Sequence, residues 1–198
     1  MKVIAFNGSA RKGGNTEALI KIVFEELQKE GIETELISLA GKNLSGCIAC
    51  YKCWKNKDQR CHGVDDEINE YIEKMLDAEG IILGSPTYFA DVTANMKAFI
   101  ERVGMVARAN EDMLKRKVGA SVVAVRRGGA THVFNSLNFF FLIAQMVVPG
   151  SSYWNLGRGR QPGEVLNDEE GIKTMRDLGQ NMAWLIKKLY TSSDVLEP

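Results

Sequence analysis

Short apolar runs alternate along this chain with segments whose apolar residues recur at helical spacing, and this alternation constrains the fold more than any other feature. Residues 2–7 are rich in Val, Ile and Phe and are followed by a glycine, which is typical of a buried strand. A helical period follows, with Asn15 or Thr16 as the predicted N-cap and Gly31 as the stop. The pattern then repeats: strands are predicted near residues 2–7, 32–39, 80–84, 118–125 and 147–153, and further helices near residues 65–76, 96–103, 134–144 and 169–189. Five strands that alternate with helices predict an α/β fold, with a parallel sheet covered by helices on both faces.

The composition is that of an ordinary globular domain and excludes several classes of function. The 198 residues are 45% hydrophobic and 25% charged, which excludes a disordered chain and predicts a single domain over residues 1–198. Lys plus Arg equals Asp plus Glu, 25 each, so no net positive field attracts nucleic acid or an anionic membrane. Residues 139–148, among the longest apolar runs, are too few to cross a bilayer. We therefore predict a cytoplasmic protein that binds neither nucleic acid nor membrane.

The loop after the first strand, residues 8–16, carries the side chains expected of a phosphate site. In a doubly wound sheet the ligand lies beyond the carboxyl ends of the strands, which makes this loop a candidate. Its backbone N–H groups and the positive end of the following helix favour an anion. The spacing matches neither Gly-x-Gly-x-x-Gly nor a Walker-type motif, and an ordinary turn with a solvated arginine is the alternative. The side chains suited to phosphate oxygens are Ser9, Arg11, Asn15 and Thr16.

Three segments, in this order, resemble the flavin-binding loops of the flavodoxin-like NAD(P)H-dependent FMN reductase superfamily. Residues 8–16 are similar to the FMN-phosphate loop, residues 84–89 (GSPTYF) to the isoalloxazine-binding loop and residues 126–129 (RRGG) to the third flavin loop. The resemblance covers residues 2 to 155 and implies a flavodoxin-like, doubly wound five-stranded sheet in the order 2-1-3-4-5. It also implies that FMN is bound by Ser9, Arg11, Asn15, Thr16, Pro86, Thr87, Tyr88, Phe89, Arg126, Gly128 and Gly129.

The chemistry of the second and third loops agrees with a flavin site. A flavin needs a flat slot with aromatic or apolar contact and backbone polar groups along its pyrimidine edge. Tyr88 and Phe89 can supply the contact, although packing at a strand end is the alternative for each of them. Pro86 restricts the turn, and Gly128 with Gly129 lets the backbone approach a planar ring closely.

All the cysteines of the chain lie in the loop after the second strand, residues 46–62. In a chain with no recognisable export signal, such a cluster indicates metal or redox chemistry rather than a disulfide framework. The run resembles the compact motif of the iron–sulfur flavoproteins, a branch of the same superfamily, and this implies one [4Fe-4S] cluster that exchanges electrons with FMN. Zinc is an alternative, as are free thiols or a redox disulfide. The implied ligands are Cys47, Cys50, Cys53 and Cys61, and the spacing to the last is at the long end of the pattern.

The sequence contains no dedicated acid–base or nucleophile motif, so we assign no catalytic side chain and expect the cofactors to carry the chemistry. The predicted function is an FMN-dependent oxidoreductase of the iron–sulfur flavoprotein type. A cluster-free NAD(P)H-dependent FMN or quinone reductase is the first alternative, and a flavodoxin-like carrier or zinc-stabilised binding module is the second. The redox partner is expected to be NAD(P)H, ferredoxin or a quinone. Residues 139–143 are apolar all round a helix, which predicts a homodimer or homotetramer. A C-terminal helix is expected over about residues 168–190.

Overall fold

A computed structural model describes residues 1–191 and contains a single five-stranded sheet within them. Every neighbouring pair of strands is parallel, and the order across the sheet is β2-β1-β3-β4-β5. This order is that of the flavodoxin-like doubly wound sheets, so the predicted fold class is confirmed. The strands are β1 (Lys2–Asn7), β2 (Glu33–Ser38), β3 (Gly80–Pro86), β4 (Val118–Val125) and β5 (Leu156–Arg158).

Six α-helices lie within residues 1–191, and five of them pack over the two faces of the sheet. On one face α1 and α6 cover β1, β3 and β4, with Leu19, Ile82 and Met182 in a common core. On the other face α3, α4 and α5 form a second core that includes Phe6 and Phe99. The central strands are buried on both faces, which explains why they read as continuous apolar runs rather than alternating ones. The helices are α1 (Asn15–Lys29), α2 (Lys52–Asn56), α3 (Ile68–Leu76), α4 (Ala94–Ala109), α5 (Ala130–Ile143) and α6 (Glu169–Thr191).

The structure corrects three details of the sequence analysis. The fifth strand does not lie near residues 147–153: Val147 makes only an isolated bridge to Val118, and the strand itself is β5, three residues long and later in the chain. Neither Asn15 nor Thr16 caps α1, because Gly14 occupies the N-cap position. The short helix α2 inside the cysteine loop was not predicted, since five residues are too few to show a helical period.

The topology brings the loops after β1, β3, β4 and β5 to one edge of the sheet. Helix α4 joins this edge to the cysteine loop. At its start the Thr93 hydroxyl caps the helix by accepting from the Met96 N–H and donates to the Gly8 carbonyl at 2.7 Å. In its middle, the side chains of Glu101 and Arg102 face the cysteine loop. Within residues 1–191 no helix is both long enough and apolar enough to span a membrane.

Candidate functional site

The loop after β1 turns tightly and leaves the start of α1 open to a ligand. The Ser9 N–H donates to the Asn7 side-chain oxygen at 3.0 Å, and the Ser9 hydroxyl accepts from the Arg11 N–H at 3.2 Å. The N-cap residue of α1 is Gly14, which has no side chain to accept hydrogen bonds from the first N–H groups of the helix. The first N–H groups of the helix, at the positive end of its dipole, are therefore available to an anion.

A cavity of about 260 Å³ opens beside this loop, at the carboxyl edge of the sheet. It brings together eight of the eleven residues predicted to bind FMN, from the segments after β1, β3 and β4. These are Ser9, Arg11, Asn15, Thr16, Pro86, Thr87, Tyr88 and Arg126. The other three, Phe89, Gly128 and Gly129, do not line this cavity.

Two hydroxyl groups on the cavity wall have no partner within the described residues. The Oγ1 atoms of Thr16 and Thr87 are both buried and make no hydrogen bond. A buried polar group without a partner costs about 1–3 kcal/mol, so such groups are rare unless a ligand or water completes them. The chemistry of the cavity therefore fits a ligand with several polar oxygens, such as the phosphate and ribityl groups of FMN.

The loop after β5 completes the cavity, and the sequence analysis missed it. Gly159 lies so close to its neighbours that an added Cβ would be 2.6 Å from the Val165 nitrogen and 2.8 Å from the Asn15 Nδ2. The Asn15 side-chain oxygen accepts from the Gly163 N–H at 2.9 Å, and Arg11 donates to the Arg160 carbonyl at 3.0 Å. The Gly-Arg-Gly-Arg run at residues 157–160 was the available signal, but placing the fifth strand too early hid it.

The loop after β3 forms a tight turn whose tip carries Phe89. The Tyr88 N–H donates to the Asp91 carbonyl at 2.9 Å, and the Asp91 N–H returns a bond of 3.0 Å. Phe89 and Ala90 both have positive φ, 48° and 63°, which a side chain other than glycine rarely adopts. Phe89 is fully exposed at this tip and Tyr88 is about 41% exposed. Only Tyr88 therefore offers its ring to the cavity.

The Asp91 carboxylate fastens this turn to α5. It accepts hydrogen bonds from the Val92 N–H at 2.7 Å and from the Ser136 hydroxyl at 3.2 Å, and His132 Nε2 lies 3.6 Å away. The Val92 N–H is the main cause of a lowered pKa at Asp91, with Ser136 and His132 contributing. The position of Tyr88 thus depends on contacts with α5 as well as on the turn itself.

The third predicted flavin loop, residues 126–129, contributes residues to two cavities. Gly128 and Gly129 line a neighbouring cavity of about 300 Å³ together with Arg127, Tyr153 and Trp154. Gly129 is the N-cap of α5 with φ 89°, and an added Cβ would lie 3.0 Å from the Ala90 Cα. Glycine is needed there for the positive φ and for the close approach of the turn after β3.

The four cysteines line one small cavity of about 20 Å³ between the cysteine loop and α4. All four are free thiols. Cys53 is buried, and burial raises the pKa of its thiol, whereas Cys50 is exposed. Across residues 1–191 no group of three or more Cys, His, Asp or Glu side chains is arranged to hold a single metal ion.

The cysteine loop depends on α4 for its shape. The Asn95 side-chain amide donates to the carbonyls of Leu39 and Lys42 at 2.8 and 3.0 Å, and the Glu101 carboxylate accepts from the Cys47 N–H at 3.3 Å. The loop itself has little regular structure. Four of its residues other than glycine have positive φ: Ala49, Tyr51, Lys57 and Gln59.

Arg102 is the central attachment of α4 to this loop. Its side chain is 1% exposed and forms an ion pair with the buried carboxylate of Asp66. The Nε–H donates to Cys61 Sγ at 3.3 Å, and Nη2 donates to the Val64 carbonyl at 3.0 Å. Burial opposes the charge of Arg102, but the hydrogen bonds to Asp66 and Cys61 outweigh it, and the pKa of the guanidinium is raised.

Known proteins resemble this chain along most of its length. The sequence model of the NADPH-dependent FMN reductase family matches residues 1–161. The chain belongs to that family. An iron–sulfur flavoprotein of Methanocaldococcus jannaschii is 40% identical over 194 residues, which cover 94% of this chain and 98% of that protein. An iron–sulfur flavoprotein of Methanosarcina thermophila is 31% identical over 98% of this chain and all of its own length.

A solved structure shares the fold at low sequence identity. RosB, determined with bound 8-demethyl-8-formylriboflavin-5'-phosphate, superposes with a TM-score of 0.75 at 21% identity, over 97% of this chain and 81% of that one. The predicted resemblance to the iron–sulfur flavoproteins is confirmed by the two relatives, and the protein is a flavin-dependent oxidoreductase that uses FMN.

Proposed function

We propose that this protein passes electrons between FMN, bound in the cavity at the carboxyl edge of the sheet, and one [4Fe-4S] cluster held by the cysteine loop. The observation that carries the proposal is the cavity lined by all four cysteines. The same domain also has the cavity lined by residues predicted to bind FMN. The relatives named iron–sulfur flavoproteins match over 94 and 98% of this chain. We take residues 1–198 as one cytoplasmic domain.

In this proposal the FMN phosphate lies at the start of α1. Ser9, Arg11, Asn15 and Thr16 surround it, and the unpartnered hydroxyls of Thr16 and Thr87 donate to or accept from the ligand. Pro86, Tyr88 and Arg126 line the slot for the ring. Phe89, Gly128 and Gly129 were predicted to touch it; we now assign them the turn and its packing against α5.

The cluster ligands are Cys47, Cys50, Cys53 and Cys61. In a cubane cluster each thiolate binds a different iron, so the four sulfur atoms need to surround a volume rather than converge on a point. All four thiols line one cavity, as this requirement asks. When bound, FMN can accept an electron pair as hydride and release it singly, whereas the cluster carries one electron at a time.

Helix α4 sets the separation of the two sites within one subunit. Thr93 contacts the loop of the FMN cavity and Arg102 contacts the cysteine loop, nine residues further on. At 1.5 Å per residue this is roughly 14 Å along the helix. Electrons pass between the two sites either within one subunit or between subunits, and the external partner is NAD(P)H, ferredoxin or a quinone.

We also propose that the protein is a homodimer or homotetramer. Phe139, Leu142 and Ile143 on α5 are 67, 61 and 61% exposed, which is unusual for large apolar side chains so close together. Phe139 and Ile143 line a groove of about 730 Å³ between α4, α5 and the cysteine loop. Sedimentation at micromolar concentration is expected to show a multiple of 22.0 kDa, and a species of 22.0 kDa contradicts this.

A cluster-free NAD(P)H-dependent FMN or quinone reductase is the second candidate function. The family match favours it directly, and the described cysteines do not form a single-ion site. In that case the thiols are free or form a redox disulfide, and electrons leave FMN for the partner without an intermediate carrier.

Anaerobic purification followed by iron, sulfide, zinc and flavin analysis of the same sample separates the candidates. We expect FMN with equal amounts of iron and inorganic sulfide, four of each per cluster. FMN without iron and sulfide, even after reconstitution, selects the cluster-free reductase. Zinc without flavin selects a binding module. A separate assay of NAD(P)H oxidation tests for turnover, which a binding module lacks.

A further inference from the structure

Arg102 is a permanent positive charge buried in the wall of the cysteine cavity, and the proposed electron transfer assigns it no role. Its side chain is 1% exposed and lines the same cavity as the four thiols. A guanidinium keeps its proton under all ordinary conditions, so burial cannot neutralise it. A charge in such a place strongly affects any other charge in the cavity, because little solvent is present to screen it.

We propose that Arg102 is a positioning residue that raises the reduction potential of the cluster, through its Nε–H hydrogen bond to Cys61 Sγ and through its charge, with Asp66 partly offsetting that charge. The inference rests on the proposed function, since it requires a cluster on the four cysteines. Arg102 lies outside the cysteine motif, and its proposed effect is on the reduction potential of the cluster.

The hydrogen bonds of Arg102 hold its guanidinium in one orientation. The Nε–H points to Cys61 Sγ at 3.3 Å, while Nη2 donates to the Val64 carbonyl at 3.0 Å and Nη1 pairs with Asp66 and approaches the Ser45 carbonyl at 3.5 Å. These partners lie on both sides of the cysteine segment. The side chain therefore cannot turn away from Cys61 without losing several buried hydrogen bonds.

The direction of the effect follows from charge. Reduction adds one electron to the cluster, supplied by the flavin or the external partner, and forms or breaks no bond to Arg102. The added negative charge is stabilised by a hydrogen bond to a ligating sulfur and by a nearby cation, both of which favour the reduced form. The Asp66 carboxylate is buried with the guanidinium, with 6% of its side chain exposed, and opposes this stabilisation.

The test is a redox titration of the cluster in anaerobically purified holoprotein, followed by visible and electron paramagnetic resonance spectra. Arg102→Met is expected to shift the midpoint potential to a more negative value. Asp66→Asn keeps an oxygen that accepts from Arg102 but removes the opposing charge, so its shift is expected to be positive. Arg108→Met, on the same helix but 45% exposed, is the matched control and leaves the potential unchanged.

Opposite signs for the two variants distinguish an electrostatic role from a merely structural one. If Arg102 only holds the loop in place, both variants lose cluster content and the remaining clusters keep the wild-type potential, and that result overturns the inference. Shifts of the same sign also overturn it. If Arg102→Met fails to fold or to retain a cluster, Asp66→Asn decides alone: a positive shift supports the inference, and no shift or a negative one overturns it.

Failure of the proposed function gives a different result. Wild-type protein with FMN but no iron and sulfide removes the cluster, and this inference with it. Wild-type protein with a cluster, and variants with wild-type potentials, remove only the role of Arg102.

Discussion

The FMN cavity and the cysteine loop are built in different ways, although both lie on the same sheet and both touch α4. The cavity is formed by loops that join regular elements at the carboxyl edge of the sheet, and its walls are the ends of β1, β3, β4 and β5 with the start of α1. The cysteine loop, residues 46–62, lies between β2 and α3 and contains only the five-residue α2. Its conformation depends on Asn95, Glu101 and Arg102 of α4.

This difference has an energetic consequence. The strands and helices that form the FMN cavity are fixed by the two hydrophobic cores, so we expect the shape of the cavity to depend little on its ligand. The cysteine loop includes four residues other than glycine with positive φ, each of which is unfavourable unless surrounding contacts impose it. We expect the loop to gain stability from a bound cluster, whereas the FMN cavity is preformed.

The largest expected effect comes from Cys53→Ser, which tests whether the sites are independent. Cys53 is the most buried of the four thiols, so the change is expected to abolish the cluster while FMN remains bound. Iron, sulfide and flavin analysis of the anaerobic protein measures this. Lys55→Ser, in the same short helix, is the control and keeps both cofactors. Loss of FMN along with iron in Cys53→Ser contradicts the independence of the two sites.

Arg11→Ala combined with Thr16→Val tests the phosphate end of the FMN cavity. Hydrogen bonds to charged groups contribute about 1.5–3 kcal/mol each, so the pair is expected to weaken FMN binding by a few kcal/mol. Equilibrium titration of the apoprotein measures the Kd. Thr16→Val alone is expected not to destabilise the apoprotein, because it removes a buried hydroxyl that has no partner. Unchanged FMN affinity in the double variant would falsify the assignment, and Thr34→Val on β2 serves as control.

Gly159→Ala tests whether the loop after β5 forms part of the cavity. The new methyl group would lie 2.6 Å from the Val165 nitrogen and 2.8 Å from Asn15 Nδ2, so the loop must shift. Overpacking of this kind costs about 1–3 kcal/mol, and we expect weaker FMN binding with normal iron content. Gly150→Ala is the matched control, because nothing lies within 4 Å of an added Cβ there. Equal FMN affinity in both variants contradicts a role for the loop.

The smallest effect is expected for Glu26→Gln, which alters a contact between α1 and α6. Hydrogen bonds from Lys29 and then Gln180 lower the pKa of Glu26 below its ordinary 4.5. Its contribution to stability is therefore fully present above pH 4.5 and lost as the pH falls through the lower pKa of the folded state. The variant should lose less stability on acidification, by up to about 1 kcal/mol.

Chemical denaturation at neutral and acidic pH measures this difference. Glu25→Gln removes the same formal charge at the exposed neighbouring position and controls for net charge. If the free energy of unfolding falls by the same amount on acidification in Glu26→Gln and Glu25→Gln, the contact assigned to Glu26 is wrong. A change in the iron content of Glu26→Gln would show that the α1–α6 packing affects the cysteine loop.

Local pattern was sufficient for the α/β fold class, and together with the family resemblance it predicted most of the FMN cavity. The apolar runs and helical periods define the alternation of strands and helices, and parallel strands necessarily bring their following loops to one edge. Ser9, Arg11, Thr16 and Tyr88 could therefore be placed together from the sequence. Cys47, Cys50, Cys53 and Cys61 could be grouped for a simpler reason, since they lie within fifteen residues of one another.

Tertiary contacts decided the rest. β5 is only three residues long, which is too short to show the alternating pattern of a strand in the sequence. The role of Gly159 is therefore visible only in the structure, where the segment after β5 contacts Asn15. Phe89 has an aromatic ring suited to a flavin contact, but it lies at the tip of a turn, where its side chain is fully exposed and does not line the cavity. Arg102 reads in the sequence as one more charge on a helix, and only the packing of α4 against a loop that begins more than fifty residues earlier buries it beside Cys61. Periodicity reports which face of an element is apolar, whereas the partner that meets a given side chain depends on distances through space that no local pattern encodes.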